Sequence, residues 1–131
     1  MDPHALVDEV EAVYGAQDAD RIVELFDPDV VTYWNGRKRW EGLADLREHH
    51  AEPIAAYPAF EMEKTLRAAS DGTIAVEWVN RWTDTDGARH VGFGGEFWTM
   101  RDERLLEWHA YHRRYDSERT AEGDGAFLGH H

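Results

Sequence analysis

Four polar side chains, Lys64, Asn80, Glu96 and His112, lie among tryptophans in β-patterned runs of this chain. In the run from Thr73, Ile74, Val76, Trp78, Asn80 and Trp82 share one strand face, while Glu77 and Arg81 fall on the other with Ala75, Val79 and Thr83. Glu96 shares its parity with Gly94, Trp98 and Met100. His112 shares a face with Leu106, Trp108 and Ala110, and strand geometry sets it apart from His109. Polar groups on such faces enter an apolar interior, which usually marks a binding cavity. Together they offer proton-transfer chemistry: a histidine as base, a carboxyl as acid or oxyanion donor, and an amide and an ammonium to orient a ligand.

Each has a plainer alternative. An unpaired buried amide costs about 1–3 kcal/mol, so Asn80 must meet a protein partner, a water or a ligand. Among tryptophans the Glu96 carboxyl is either desolvated and held protonated or ion-paired with Lys64, unless a bulge at Gly95 turns it to solvent. His112 is either a catalyst or a hydrogen-bonded core histidine. His49 and His50 sit on a helix, with His50 on its apolar stripe, and adjacent helical positions diverge too far for the two to chelate one ion alone. Either could join His112 and Glu96 in a metal set, but no spacing such as HExxH occurs. No metal or other cofactor is expected. The chain has no cysteine, no GxSxG elbow and no glycine-rich strand-to-helix loop, which argues against thiol, serine-elbow and dinucleotide chemistry.

The elements that must position these residues are legible in outline. Leu6, Val7, Val10, Val13 and Tyr14 keep helical spacing, and Pro3 suits a first turn. Asp18 or Asp20 can cap a short second helix whose stripe, Ile22, Val23, Leu25 and Phe26, ends at Asp27-Pro28. Val30 to Asn35 and Arg37 to Glu41 read as a hairpin around Asn35-Gly36. A third helix follows Gly42, with Leu43, Leu46, His50 and Ile54 along one face and Pro53 kinking or ending it. Four long strands then follow: Phe60 to Ala69, Thr73 to Thr83, Arg89 to Met100 and Arg104 to Tyr115. Gly92, Gly94 and Gly95 signal a bulge or close approach in the third of them.

At 131 residues the chain fits a single domain, assigned to 1–116, with 117–131 an acidic, glycine-rich and mobile tail; His130 and His131 are left out of functional reasoning. Twenty-seven acids against 14 Lys and Arg give a formal charge of −13, which repels phosphate backbones and anionic lipid heads. No nucleic-acid or membrane partner is expected. No apolar run approaches the roughly 18 residues of a membrane span, and the start lacks a basic signal-peptide flank, so a soluble protein is expected; the absence of cysteine fits a reducing cytoplasm, the expected location. Six tryptophans, five tyrosines and five phenylalanines can fill a core, and they can equally wall a small-molecule pocket.

The order of elements resembles the nuclear transport factor 2 fold, the superfamily of SnoaL-like polyketide cyclases, ketosteroid isomerase, limonene epoxide hydrolase and scytalone dehydratase. Local text from about Leu6 to Asp116 is similar to a bacterial branch of SnoaL-like proteins: Asp18-Ala19-Asp20-Arg21, Phe26-Asp27-Pro28-Asp29, Trp40-Glu41-Gly42, Lys64-Thr65-Leu66-Arg67-Ala68, Gly95-Glu96-Phe97-Trp98 and Trp108-His109-Ala110. The resemblance implies an α+β fold of the cystatin-like barrel kind, in which three helices pack on a cone-shaped, curved antiparallel sheet of four long strands plus the short hairpin. It also implies a pocket inside the cone and a homodimer through the sheet. The isomerase's general-base position carries Trp34 and its helix-one tyrosine carries Val10, while Glu96 falls where that family keeps its protonated acid and His49 and His50 fall at pocket aromatics. The two aspartate positions of the epoxide hydrolase carry Asn80 and Ala110. The expected site thus has Glu96, His112 and His50 as catalytic residues, with Tyr14, Trp34, His49, Lys64, Trp78, Asn80, Trp98 and Trp108 around a small hydrophobic or aromatic ligand. The expected activity is cofactor-independent cyclisation, dehydration or isomerisation of a carbonyl-bearing molecule, or binding without turnover.

Overall fold

The computed structural model describes residues 2–115; the tail at 117–131 lies outside them. Helix α1 (Pro3–Gly15) starts at Asp2, whose carboxylate accepts the His4 N–H, and buries Leu6, Val7, Val10, Val13 and Tyr14. Helix α2 (Ala19–Glu24) is capped by Asp18. The apolar stripe read through Phe26 stops earlier than its spacing suggests, because Phe26 already opens strand β1 (Phe26–Trp34). Pro28 is tolerated there because the pairing is irregular between Phe26 and Val31. Arg101 holds the strand's start by donating to both carboxylate oxygens of Asp27, at 2.6 and 3.0 Å.

Strand β2 (Arg37–Glu41) returns through Asn35 and Gly36, whose φ values of 51° and 83° give the turn that the Asn-Gly pair encodes. The third helical segment is composite: α3 (Leu43–Leu46), a π-helical turn (Arg47–Ala51) and α4 (Glu52–Ala55). Pro53 has no N–H to offer the carbonyl of His49, and the widened turn before it accommodates the ring. That turn carries His49 and His50.

Strands β3 (Glu61–Ser70), β4 (Thr73–Thr83), β5 (Arg89–Arg101) and β6 (Arg104–Tyr115) form the antiparallel meander. The hairpin joins the same sheet, because β1 pairs in parallel with β6, and the order is β2-β1-β6-β5-β4-β3. Even-numbered residues of β3 to β6 face the helices, where Ile74, Val76, Trp98 and Trp108 pack with Tyr14, Ile22 and Leu46. Odd-numbered ones face outward, where Arg67 pairs with Glu77 at 2.9 Å and Tyr33 stacks on His109, up to the irregular pairing between Thr99 and Met100, past which Leu105 turns into the core.

Candidate functional site

The inner face of the sheet is organised in rows. Lys64, Trp78, Gly94 and His112 stand in register across β3 to β6, and Met62, Asn80, Gly92 and Arg114 form the next row toward the mouth. Gly94 is where the third long strand must approach its neighbour closely: a Cβ there would lie 2.0 Å from the Tyr111 carbonyl oxygen and 2.9 Å from the His112 Cα. No bulge occurs at Gly94, Gly95 or Glu96, since the pairing stays in register until Thr99. Parity therefore decides for Glu96, and it points inward.

Between these rows and the third helical segment lies a cavity of about 560 Å³. It is lined by Lys64, Trp78, Asn80, Glu96, Trp108 and His112 from the sheet, Tyr14 from α1, Trp34 from β1, and His49 and His50 from the π-helical turn. All but one of the expected site residues thus meet in one place. Trp98 does not reach the cavity. It is fully buried behind it, with its ring 5.0 Å from that of Trp108, because its row lies deeper in the cone than that of Glu96.

At the floor, the Lys64 ammonium donates to the Glu96 carboxylate, with side chains 1% and 2% exposed. The ammonium is ringed by Tyr14, Trp78, Trp98 and Trp108, each ring centre 5.0–5.9 Å away, an aromatic surround that favours a cation. Burial raises the Glu96 pKa above its ordinary value, and Lys64 offsets only part of that rise. The Lys64 backbone N–H donates to Glu11 at 2.7 Å, tying this strand to α1.

On the wall, the Tyr14 hydroxyl lies 2.8 Å from Nε2 of His50. Burial, with a smaller push from Lys64, lowers the His50 pKa to about 3, so the imidazole is neutral at pH 7 and, in the tautomer protonated at Nδ1, accepts the Tyr14 O–H hydrogen bond at Nε2. Burial and the nearby Glu96 charge raise Tyr14 well above its usual value, which keeps the phenol protonated as the donor. His49 stands apart at the rim, half exposed, with Asp45 at 3.5 Å.

His112 differs from His50. It is partly exposed, meets Trp34 edge-on at 4.5 Å and stacks on Trp78 at 6.2 Å, and its Nδ1 has no hydrogen-bond partner. Burial first, then Arg114 and Arg39, lower its pKa, so it too is neutral at pH 7. Its backbone N–H donates to the Asn35 side chain at 2.9 Å, and the Asn35 N–H donates to the Ala110 carbonyl at 2.8 Å. The hairpin turn therefore clamps the strand that carries this histidine. Trp34 Nε1, Trp78 Nε1 and Asn80 Oδ1 also lack partners.

The cavity has further walls: Arg37, Arg39 and Trp40 on β2, Tyr57 and Phe60 beyond α4, Trp82 on β4 and Arg114 on β6. Trp82 and Arg114 continue the parities of Trp78 and His112, so the strand rule extended by one or two steps finds them. The β2 residues reach the cavity because the hairpin curls over its mouth, and strand parity carries no sign of that.

A six-stranded curved sheet closed by helices around a cavity defines an α+β protein of the nuclear transport factor 2-like class. Within that class the chain belongs to the SnoaL-like domain family, whose pattern matches residues 7–108. Among curated proteins none matches significantly. Solved structures agree on the fold. A computationally designed 17-OHP binder superposes with a TM-score of 0.73 at 14% identity, covering 88% of this chain and 98% of its own. A hypothetical protein with a ketosteroid isomerase-like fold from Catenulispora acidiphila DSM 44928, in complex with trimethylamine, gives 0.68 at 15% identity over 81% and 83%. TerC co-crystallised with polyporic acid gives 0.69 at 15% identity over 93% and 95%. Such identities establish the fold alone.

Proposed function

We propose that this chain binds a small, carbonyl-bearing organic molecule inside its cone and carries out cofactor-independent proton transfer on it: cyclisation, dehydration or isomerisation. The observation that carries the reading is His112, a neutral imidazole that lines an aromatic cavity and whose Nδ1 is buried without a hydrogen-bond partner. Of the two candidate bases it is the better placed, since His50 already accepts from Tyr14 and its pKa of about 3 makes it a poor proton acceptor. The small organic molecules held by two of the neighbours, polyporic acid and trimethylamine, support the pocket half of the reading.

In this scheme His112 takes a proton from the carbon beside the substrate carbonyl, and the electron pair moves onto the carbonyl oxygen. The proton then returns at a second carbon in an isomerisation, or His112 hands it to the departing hydroxyl oxygen as the electron pair expels that group as water in a dehydration. Asn80 orients the ligand, and Glu96 and Lys64, paired with each other, form the floor beneath it. A homodimer through the outer sheet face completes the proposal, supported by Phe97 and Tyr111, both 49% exposed there.

The pair Lys64–Glu96, each satisfied by the other, favours a second reading in which the cavity binds without turnover. Incubating the protein with a panel of cyclic ketones in heavy water, and reading deuterium uptake by mass spectrometry, separates the two. Proton-transfer chemistry predicts accelerated uptake that His112→Gln abolishes while leaving the far-ultraviolet circular dichroism unchanged. Binding of panel members without accelerated exchange would support the binding module instead.

A further inference from the structure

The charge of the cavity runs against the charge of the chain. The sequence carries a formal −13, yet the cavity lining holds four cations, Arg37, Arg39, Lys64 and Arg114, against one carboxylate, Glu96. Lys64 and Glu96 neutralise each other at the floor. The three arginines remain, all exposed at the mouth, and among the described residues no carboxylate lies within ion-pair distance of any of them. Acids on the flanking elements are engaged elsewhere: Glu41 with Lys38 at 3.4 Å, Asp45 with the Glu41 N–H at 3.0 Å and Asp84 with His90 at 2.7 Å.

Two of the arginines are braced by aromatic rings of the cavity, Arg39 over Trp40 at 5.5 Å and Arg114 over Trp82 at 5.2 Å. A guanidinium laid on an indole keeps its N–H edge free for an acceptor, and its planar fork matches a carboxylate. Both also act on the interior, since Arg114 and Arg39 are among the causes that hold His112 neutral.

We propose that the ligand of this cavity is an organic anion: a flat, apolar body seated among the tryptophans, with a carboxylate held at the mouth by Arg37, Arg39 and Arg114. The proposal rests on the pocket reading above and adds the polarity and orientation of what enters. A buried anion at the floor would face Glu96, whereas an anion at the mouth meets only cations. An overall acidic surface repels such ligands from everywhere else, so the mouth is also the place to which long-range charge steers them.

Equilibrium dialysis against 2-naphthoate and 2-naphthamide, which share a ring system and differ in charge, tests this directly. At low salt the carboxylate should bind about tenfold more tightly than the amide, the gain of one charge-assisted hydrogen-bonded contact. That preference should shrink in molar salt and be largely lost in an Arg39→Gln/Arg114→Gln variant, with amide binding changing less than carboxylate binding. Arg37→Gln alone provides a milder check with the braced arginines intact, and should reduce the preference in part. Equal binding of the two probes by the native protein, or a preference that survives the double variant, would overturn the anion proposal and leave the pocket reading standing. Binding of neither probe would sink both.

Discussion

The floor and the mouth of the cavity both carry positive charge, and they use it in opposite ways. At the floor, Lys64 is sealed among aromatic rings and spent on Glu96 within the fold. At the mouth, Arg39 and Arg114 stand over indole rings at 5.5 and 5.2 Å, exposed and without a carboxylate of their own among the described residues. The histidines divide likewise: His50 is locked to Tyr14, while His112 lines the cavity with its buried Nδ1 unpartnered. The contrast teaches that a polar residue inside a cone is not by that fact a working group. What distinguishes the two kinds is whether the fold has already supplied the partner.

The sharpest way to break that division is at the floor. Glu96→Gln or Lys64→Met leaves the other charge buried and alone, with an expected loss of about 3–5 kcal/mol in chemical denaturation. Replacing both by apolar residues of similar volume should recover most of it. A floor whose single variants lost nothing would be no structural pair. Next in size is the row that joins floor to mouth: Gly94→Ala, forced against the Tyr111 carbonyl, should cost about 1–3 kcal/mol and displace His112.

Acid sharpens the comparison between the histidines. The folded pKa of His50, about 3, lies below its ordinary 6.5, so between these values only the unfolded chain takes up that proton. This contribution to stability is complete above about pH 6.5 and is lost as pH falls toward 3, by at most about 1.4 kcal/mol per pH unit. Glu96 works with the opposite sign, because its folded pKa is raised above 4.5 and the folded protein is the first to bind that proton. His50→Gln keeps an acceptor for Tyr14 and should flatten the acid side of the stability profile. The smallest effect belongs to the outer face, where Arg67→Ala breaks an exposed pair with Glu77 and should change stability by under about 1 kcal/mol.

Much of this was legible in the sequence, because a strand's period of two is rigid. It placed Asn80, Glu96 and His112 on the inner face and His109 on the outer one, and the structure agrees. The same rule places Trp98 on the inner face but carries no measure of depth along the cone, so from sequence this core tryptophan reads as part of the cavity wall. The start of β1 was missed because Asp27-Pro28 reads as a break when its local chemistry is weighed alone. Its tie to Arg101, 74 residues away, is a tertiary contact that no local pattern records. The mouth arginines were invisible for a similar reason: Arg37 and Arg39 belong to a hairpin that the sequence predicts correctly, while its curl over the cavity depends on β1 pairing with β6.

The division between a satisfied floor and an available mouth is tested most directly by following the two imidazoles through a nuclear magnetic resonance pH titration, with and without saturating 2-naphthoate. The account predicts that His50 stays neutral down to about pH 3 and ignores the ligand, while His112 titrates below its ordinary value and shifts upward when the anion sits beside it. A His112 that titrates at or above 6.5 in the free protein, or that does not respond to the bound probe, would contradict it.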